Sequence, residues 1–92
     1  MKQTLYSVYD LKSQIYDRPF MGINDESSKR AFLDASNNPE VPMSKHKEDY
    51  NLFAIAEFND GTGEVTPIHP VRYVAGAIES DLKVETTQIT DN

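Results

Sequence analysis

The stretch YNLFAIAEF, Tyr50–Phe58, is the longest apolar run in this chain of 92 residues, and it decides the fold. Strand-like alternation gives the run two faces. The first face carries Leu52, Ala54, Ala56 and Phe58, and the second carries Phe53 and Ile55. A strand with apolar residues on both faces is usually central and covered on each side. We therefore expect Tyr50–Phe58 to be an inner strand of a sheet.

A turn signal follows this strand directly. Asp60-Gly61 lies between two extended runs, and such a pair favours a hairpin because tight turns need a positive φ, which glycine supplies. Glu64–Ile68 should then return antiparallel to the first strand. Pro67 and Pro70 place the returning strand at an edge of the sheet, since proline has no N–H to donate to a neighbouring strand.

The first half of the chain holds two further candidate strands. Thr4–Tyr9 is dominated by β-branched and aromatic residues in alternation, which predicts a strand. A shorter strand is predicted within Arg18–Ile23, where Pro19 suits a first strand position. The intervening residues, Asp10–Asp17, fit either one helical turn or a loop.

One helix is predicted after these strands. Asn24-Asp25 offers an N-cap followed by acidic residues that favour the positive end of the helix dipole. The helix should end at Asn37–Pro39, because an asparagine is able to take the left-handed conformation and the proline blocks continuation. Residues 40–49 read as a polar connection. The stripe of the helix that should face the sheet comprises Ser28, Ala31, Phe32 and Ala35.

The end of the chain is less regular. Val71–Ile78 shows both strand-like alternation and helical spacing, and Gly76 weakens both interpretations. We expect a single domain that spans residues 1–81. Residues 82–92 are polar and threonine-rich, and we regard them as a tail. Together these elements predict an α+β fold, a small mostly antiparallel sheet with one principal helix packed on one face through Phe32. The apolar second face of the sheet suggests a partner surface or a second copy, and hence a homo-oligomer.

Composition excludes several classes of protein. There is no cysteine, so disulfides, thiolate metal sites and a cysteine nucleophile are absent, and no apolar run is long enough to cross a membrane. The formal net charge is −6, which argues against long-range attraction to nucleic acid. The charge is uneven: residues 1–50 contain seven of the nine Lys and Arg residues. The first half of the chain could therefore still form a local basic surface.

Candidate contacts with nucleic acid come from this first half. A cation beside an aromatic ring suits a phosphate contact with a stacked base, and Arg18 near Phe20 provides that pair. Other cations could contact phosphates or simply be solvated among neighbouring carboxylates. The full candidate set is Arg18, Phe20, Lys29, Arg30, Lys45, His46 and Lys47. No phosphate loop, zinc pattern or catalytic triad is present, so we expect no catalytic residue, metal or cofactor, and no enzyme.

The order and spacing of several short blocks resemble the small nonstructural protein family of gokushovirus-type microviruses, which are single-stranded DNA phages. The blocks are Tyr6-Ser7-Val8-Tyr9-Asp10, Arg18-Pro19-Phe20, Arg30-Ala31-Phe32, Asn38-Pro39-Glu40, Ser44-Lys45-His46 and Glu48-Asp49-Tyr50, followed by Leu52-Phe53, Glu57-Phe58, Asp60 and Glu64. They cover roughly residues 4–70. Relatives often have proline where this chain has Lys47, which removes a rigid turn and adds a positive charge.

The resemblance implies a non-capsid protein made in the host cytoplasm during infection. Such proteins are regarded as counterparts of a switch protein that associates with the replication complex and diverts it to making and packaging single strands. DNA binding is the role usually attached to the family, and no catalytic motif comes with it. The rival hypothesis is an adaptor that docks the replication machinery to the procapsid without touching DNA.

Overall fold

The computed structural model describes residues 2–78. Its elements form one antiparallel sheet with one main helix, which confirms the predicted α+β class. The strands are β1 (Lys2–Asp10), β2 (Ile15–Tyr16), β3 (Phe20–Gly22), β4 (Tyr50–Asn59) and β5 (Val65–Gly76), the helix is α1 (Asp25–Ser36), and two 3₁₀ turns span Pro42–Lys45 and Lys47–Asp49. Residues 79–92, which include the predicted tail, lie outside the described residues.

The sheet order is β2-β1-β4-β5, with β3 also pairing with β1. Strand β4 is therefore an inner strand, as its two apolar faces predicted, and β5 is at an edge, as its prolines predicted. The alternation of β4 is interrupted near Ile55, where its register with both β1 and β5 shifts. An extra residue at such a bulge breaks the period of two. The predicted single face running from Leu52 to Phe58 is therefore not continuous.

The β4–β5 hairpin forms where the sequence predicted it, but a different glycine makes the turn. Gly63 has φ +79°, whereas Gly61 is not in the positive-φ region. The Asn59 carbonyl accepts from Gly63 N at 2.7 Å, and Asn59 Oδ1 accepts from Gly61 N at 2.8 Å. The loop therefore runs from Asp60 to Gly63 and needs left-handed backbone at its last residue, not at Gly61.

Helix α1 begins at the predicted cap. Asn24 Oδ1 accepts a hydrogen bond from Ser27 N at 2.8 Å. The helix ends before Asn37 as predicted, but no asparagine there uses the left-handed conformation, because Asn37 has φ −101° and Gln14 is the one non-glycine residue with positive φ among residues 2–78. Asn37 instead donates from both its backbone N and its Nδ2 to the Leu33 carbonyl.

The core lies between α1 and the sheet. Phe32 packs there as predicted, and its neighbours are fully or almost fully buried: Tyr6, Leu52, Ala54, Ala75 and Ala77. A Cβ on Gly22 of β3 would lie 2.1 Å from Ser28 Oγ of the helix. The alanines and this glycine allow α1 to approach the sheet closely. We call the sheet face under α1 the inner face and the opposite one the outer face.

The two segments that the sequence left open are now assigned. A turn at residues 11–14 precedes the short strand β2, and residues 71–76 continue β5 before a turn at residues 77–78. Across residues 2–78, no helix has the length and apolar character that a membrane span requires.

Candidate nucleic-acid interface

The cations singled out from the sequence lie in different parts of the structure. Lys29 and Arg30 belong to α1, on the inner-face side of the sheet, while Lys45 ends the first 3₁₀ turn and Lys47 begins the second. Lys47 Nζ donates to Asn37 Oδ1 at 2.5 Å, which ties it to the end of the helix. Arg18 lies in the connection between β2 and β3, where its backbone N donates to Asp17 Oδ1. The structure does not gather these cations around one aromatic ring.

Phe20 has a partner within the fold. Its ring stacks on Tyr6, with centroids 5.8 Å apart and an interplanar angle of 29°. Tyr6 is fully buried on the inner face, opposite Ala54. Phe20 thus contacts the core with one side and keeps about a third of its surface exposed, at 36%.

A different set of rings forms a row across the outer face. Tyr9 pairs with Tyr16 of β2, and Phe53 pairs with Tyr73 of β5, so the row crosses four of the five strands of the sheet. The centroid of Tyr9 lies 4.6 Å from that of Tyr16 and 6.2 Å from that of Phe53. Phe53 in turn lies 5.9 Å from Tyr16 and 5.8 Å from Tyr73. We call Tyr9, Tyr16, Phe53 and Tyr73 the aromatic row.

The end rings of the row are open to solvent. Tyr16 is 42% exposed and Tyr73 is 48% exposed, whereas Tyr9 and Phe53 between them are half-buried. Within residues 2–78, the single α-helix packs on the other face. Phe53 contacts both Tyr16 and Tyr73 edge to face, and these contacts hold the two end rings in place. Exposed rings on an antiparallel sheet can stack on unpaired bases or on apolar groups of a protein.

On the inner face, a polar network connects β5 to helix α1 and to β1. Asp25, the first residue of α1, accepts a hydrogen bond from Tyr6 Oη at 2.7 Å and pairs with the Arg72 guanidinium. Hydrogen bonding from Arg72, helped by Tyr6, lowers the pKa of Asp25 against the opposing effect of burial. Burial, followed by the bond to Asp25, raises the pKa of the Tyr6 phenol. The network joins β1, α1 and β5, and it holds Arg72 on the inner face, away from Tyr73.

The two cations that are close in sequence to rings of the aromatic row each have a carboxylate beside them. Arg72 is engaged with Asp25, and Arg18 follows Tyr16 by two residues but lies next to Asp17. A bound strand would find few phosphate contacts here beyond Arg18. Stacking, not charge, is the interaction that this surface offers.

Three potential metal ligands lie close together at the second 3₁₀ turn, where His46 directly precedes the turn and Glu48 and Asp49 lie within it. Ligand atoms of His46, Glu48 and Asp49 are within 4.8 Å of one another. The three residues are near neighbours in the chain, so their proximity follows from sequence alone. This arrangement assigns no metal site.

Reasoning from the sequence missed the aromatic row. Alternation in β4 placed Phe53 on the face opposite Ala54, and Tyr9 alternates with Val8, so two rings carried a usable signal. Tyr73 lies in Val71–Ile78, to which the sequence assigned no element. Tyr16 lies in Asp10–Asp17, which fitted either a loop or one helical turn. Only the pairing of β2 and β5 with the inner strands puts the four rings side by side.

Residues 3–80 of the chain match the family described as phage ORF5 protein. No curated protein and no solved structure matches the chain.

Proposed function

Because the chain belongs to the phage ORF5 protein family, we propose that it is a non-enzymatic protein of phage infection that contacts single-stranded DNA through the aromatic row. The contact would serve synthesis and packaging of a single-stranded genome in the host cytoplasm, together with replication or procapsid proteins. This role follows from the resemblance to gokushovirus-type nonstructural proteins.

One observation supports the DNA contact above the others. Tyr16 and Tyr73 are exposed at the two ends of the row, while Phe53 lies between them and contacts both. Base stacking on an aromatic side chain contributes about 1–3 kcal/mol per base and tolerates any base sequence. Unpaired bases would be preferred, because the bases of a duplex are already stacked on one another.

Charge sets the expected character of this binding. With a net charge of −6 and cations distributed over the helix side, phosphate contacts should be few. Each phosphate neutralised contributes about −0.7 to the log–log salt slope for a single strand. If Arg18 is the main phosphate contact, the slope should be near −1, shallower than a set of five cations would give. Several copies on one strand would raise the overall affinity.

The test is fluorescence anisotropy of a labelled oligothymidylate at low salt, with a duplex for comparison. Tyr73→Ala should weaken binding by about 5- to 150-fold, which corresponds to ~1–3 kcal/mol. Tyr73→Phe keeps the ring and should bind like the natural protein. Lys29→Ala, on the helix side, should have little effect. Equal binding by Tyr73→Ala and the natural protein would overturn the proposal.

A second candidate function is the adaptor that joins replication and procapsid proteins without touching DNA. The distribution of cations favours it, because Arg18 lies beside Asp17, and Lys47 lies beside Glu48 and Asp49. In that case the aromatic row would pack against a protein, including a second copy of this chain. Two results together would favour the adaptor. The folded protein would show no detectable DNA binding at low salt, and sedimentation would detect an oligomer that Tyr73→Ala weakens.

A further inference from the structure

A groove runs along the inner-face side of the molecule, and Tyr16 of the aromatic row lines one end of it. It consists of two adjoining cavities of about 350 Å³ and about 250 Å³. Both are lined by Val8 of β1 and by Met43 of the first 3₁₀ turn, so the cavities meet at these two side chains. The first cavity lies between the β1–β2 hairpin and the 3₁₀ turn, and the second lies beside helix α1.

The two ends of the groove differ in chemistry. The smaller cavity is lined by apolar side chains, among them Phe20, Ala31 and Phe32. The larger cavity is also lined by carboxylates, Asp10 and Asp17, and no Lys, Arg or His is among its lining residues. The groove therefore has an apolar end and an acidic end.

The acidic end is held in place by backbone hydrogen bonds. Asp10 Oδ1 accepts from Lys12 N at 2.9 Å, and Asp17 Oδ1 accepts from Arg18 N at 2.8 Å. Lys12 and Arg18 are exposed, and neither lines the cavity. Tyr50 also lines this end, and the pKa of its phenol is raised by burial first and then by Asp10 and its acidic neighbours. A preformed acidic site favours a cation with little cost of reorganisation.

We propose that this groove binds a peptide segment of a partner protein that carries bulky apolar side chains next to a lysine or arginine. The apolar side chains would fill the end beside Phe20 and Phe32, and the cation would pair with Asp10 and Asp17. Short amphipathic peptides bind such grooves through a few apolar anchors, and complementary charge fixes their direction.

Charge argues against the other occupants. DNA phosphates would be repelled by the two carboxylates. Residues 79–92 of this chain place apolar side chains beside a lysine at Leu82-Lys83-Val84, but Asp81 and Glu85 flank that segment and make it negative overall, so it is mismatched to an acidic site. A second copy of the protein has the same net negative charge. A basic, apolar segment supplied by another protein is the occupant that fits.

The test begins with the full chain and a random peptide library displayed for selection. Enriched peptides should combine apolar residues with a flanking Lys or Arg. The consensus peptide is then measured by anisotropy against the natural protein and against Asp10→Asn/Asp17→Asn. The asparagines keep the oxygen acceptors of the turn, so the fold should persist, and circular dichroism checks this. The double variant should bind the consensus peptide about tenfold more weakly.

A matched peptide isolates the charge contact. Replacing its Lys or Arg with glutamine should weaken binding to the natural protein and make no further difference in the double variant. Tyr73→Ala, on the outer face, should bind the peptide normally even where it loses DNA, so this proposal and the DNA proposal can fail separately. No enrichment, enrichment of acidic peptides, or equal binding by the double variant would overturn the proposal.

Discussion

The carboxylate of Asp25 should stabilise the whole fold, because it joins three elements. It accepts from Tyr6 of β1, pairs with Arg72 of β5 and begins helix α1. Asp25→Asn keeps one acceptor for the tyrosine but removes the charge. We expect this substitution to lower the free energy of unfolding at neutral pH.

The expected size follows from the geometry. A hydrogen bond to a charged partner contributes about 1.5–3 kcal/mol, and a carboxylate in the first helical turn adds about 0.3–1 kcal/mol. The side chains of Arg72 and Asp25 are 47% and 44% exposed, so solvent screens their ion pair and its share falls to about 0–1 kcal/mol. The asparagine retains part of the tyrosine bond. The net loss should be about 2 kcal/mol, toward the lower end of these ranges.

The loss should depend on pH in a defined direction. The pKa of Asp25 is lowered in the folded protein, chiefly by hydrogen bonding from Arg72. Such a group stabilises the fold above its unfolded pKa of about 3.9, and the stabilisation is lost as pH falls through the folded pKa. The difference between the natural protein and Asp25→Asn should therefore be full at neutral pH and shrink in acid. The other carboxylates are present in both proteins, so their effects on the pH dependence cancel when the two free energies of unfolding are subtracted.

Urea titration of both proteins at neutral pH and at about pH 2.5 measures the two differences. Asp34→Asn removes an exposed carboxylate from the same helix and serves as the control, with an expected change within about 0.5 kcal/mol. Asp25→Asn combined with Arg72→Gln should cost less than the sum of the single changes. A loss below about 0.5 kcal/mol at neutral pH, or one that is the same in acid, would refute this account of the network.

Three other stability changes are expected, each measured by urea titration. Gly22→Ala should cost about 1–3 kcal/mol, because its Cβ would lie 2.7 Å from the Tyr6 ring as well as against the helix; a neutral result would mean that the helix packs farther away. Gly63→Ala should cost about 1 kcal/mol through its positive φ, while Gly61→Ala should cost less, and the reverse order would contradict the turn described here. Phe53→Ala should cost about 2 kcal/mol, since the ring is half-buried and contacts three others; less than about 1 kcal/mol would mean that the aromatic row is loose.

Local signals in the sequence were enough for most of the elements and for the class of the fold. The two-faced run in β4, the glycines and asparagine after it and the Asn24 cap each act over a few residues, so each could be interpreted without knowing the fold. The prolines of β5 identified an edge strand for the same reason, because a missing N–H is a property of the residue itself. The α+β class followed from the order of these elements.

The tertiary structure decided which side chains meet. The aromatic row depends on the register between four strands from distant parts of the chain, and a slip of one residue would send Phe53 to the other face. Asp25 and Arg72 are 47 residues apart and meet only because the helix begins over β5. The bulge near Ile55 and the left-handed Gly63 arise from how paired strands accommodate an extra residue and a closing turn. The sequence by itself determined the helix, the strands β1, β3 and β4, the first half of β5 and the class of the fold. Strand pairing and helix packing, which depend on contacts between distant segments, assigned β2 and the rest of β5 and placed the candidate binding surfaces.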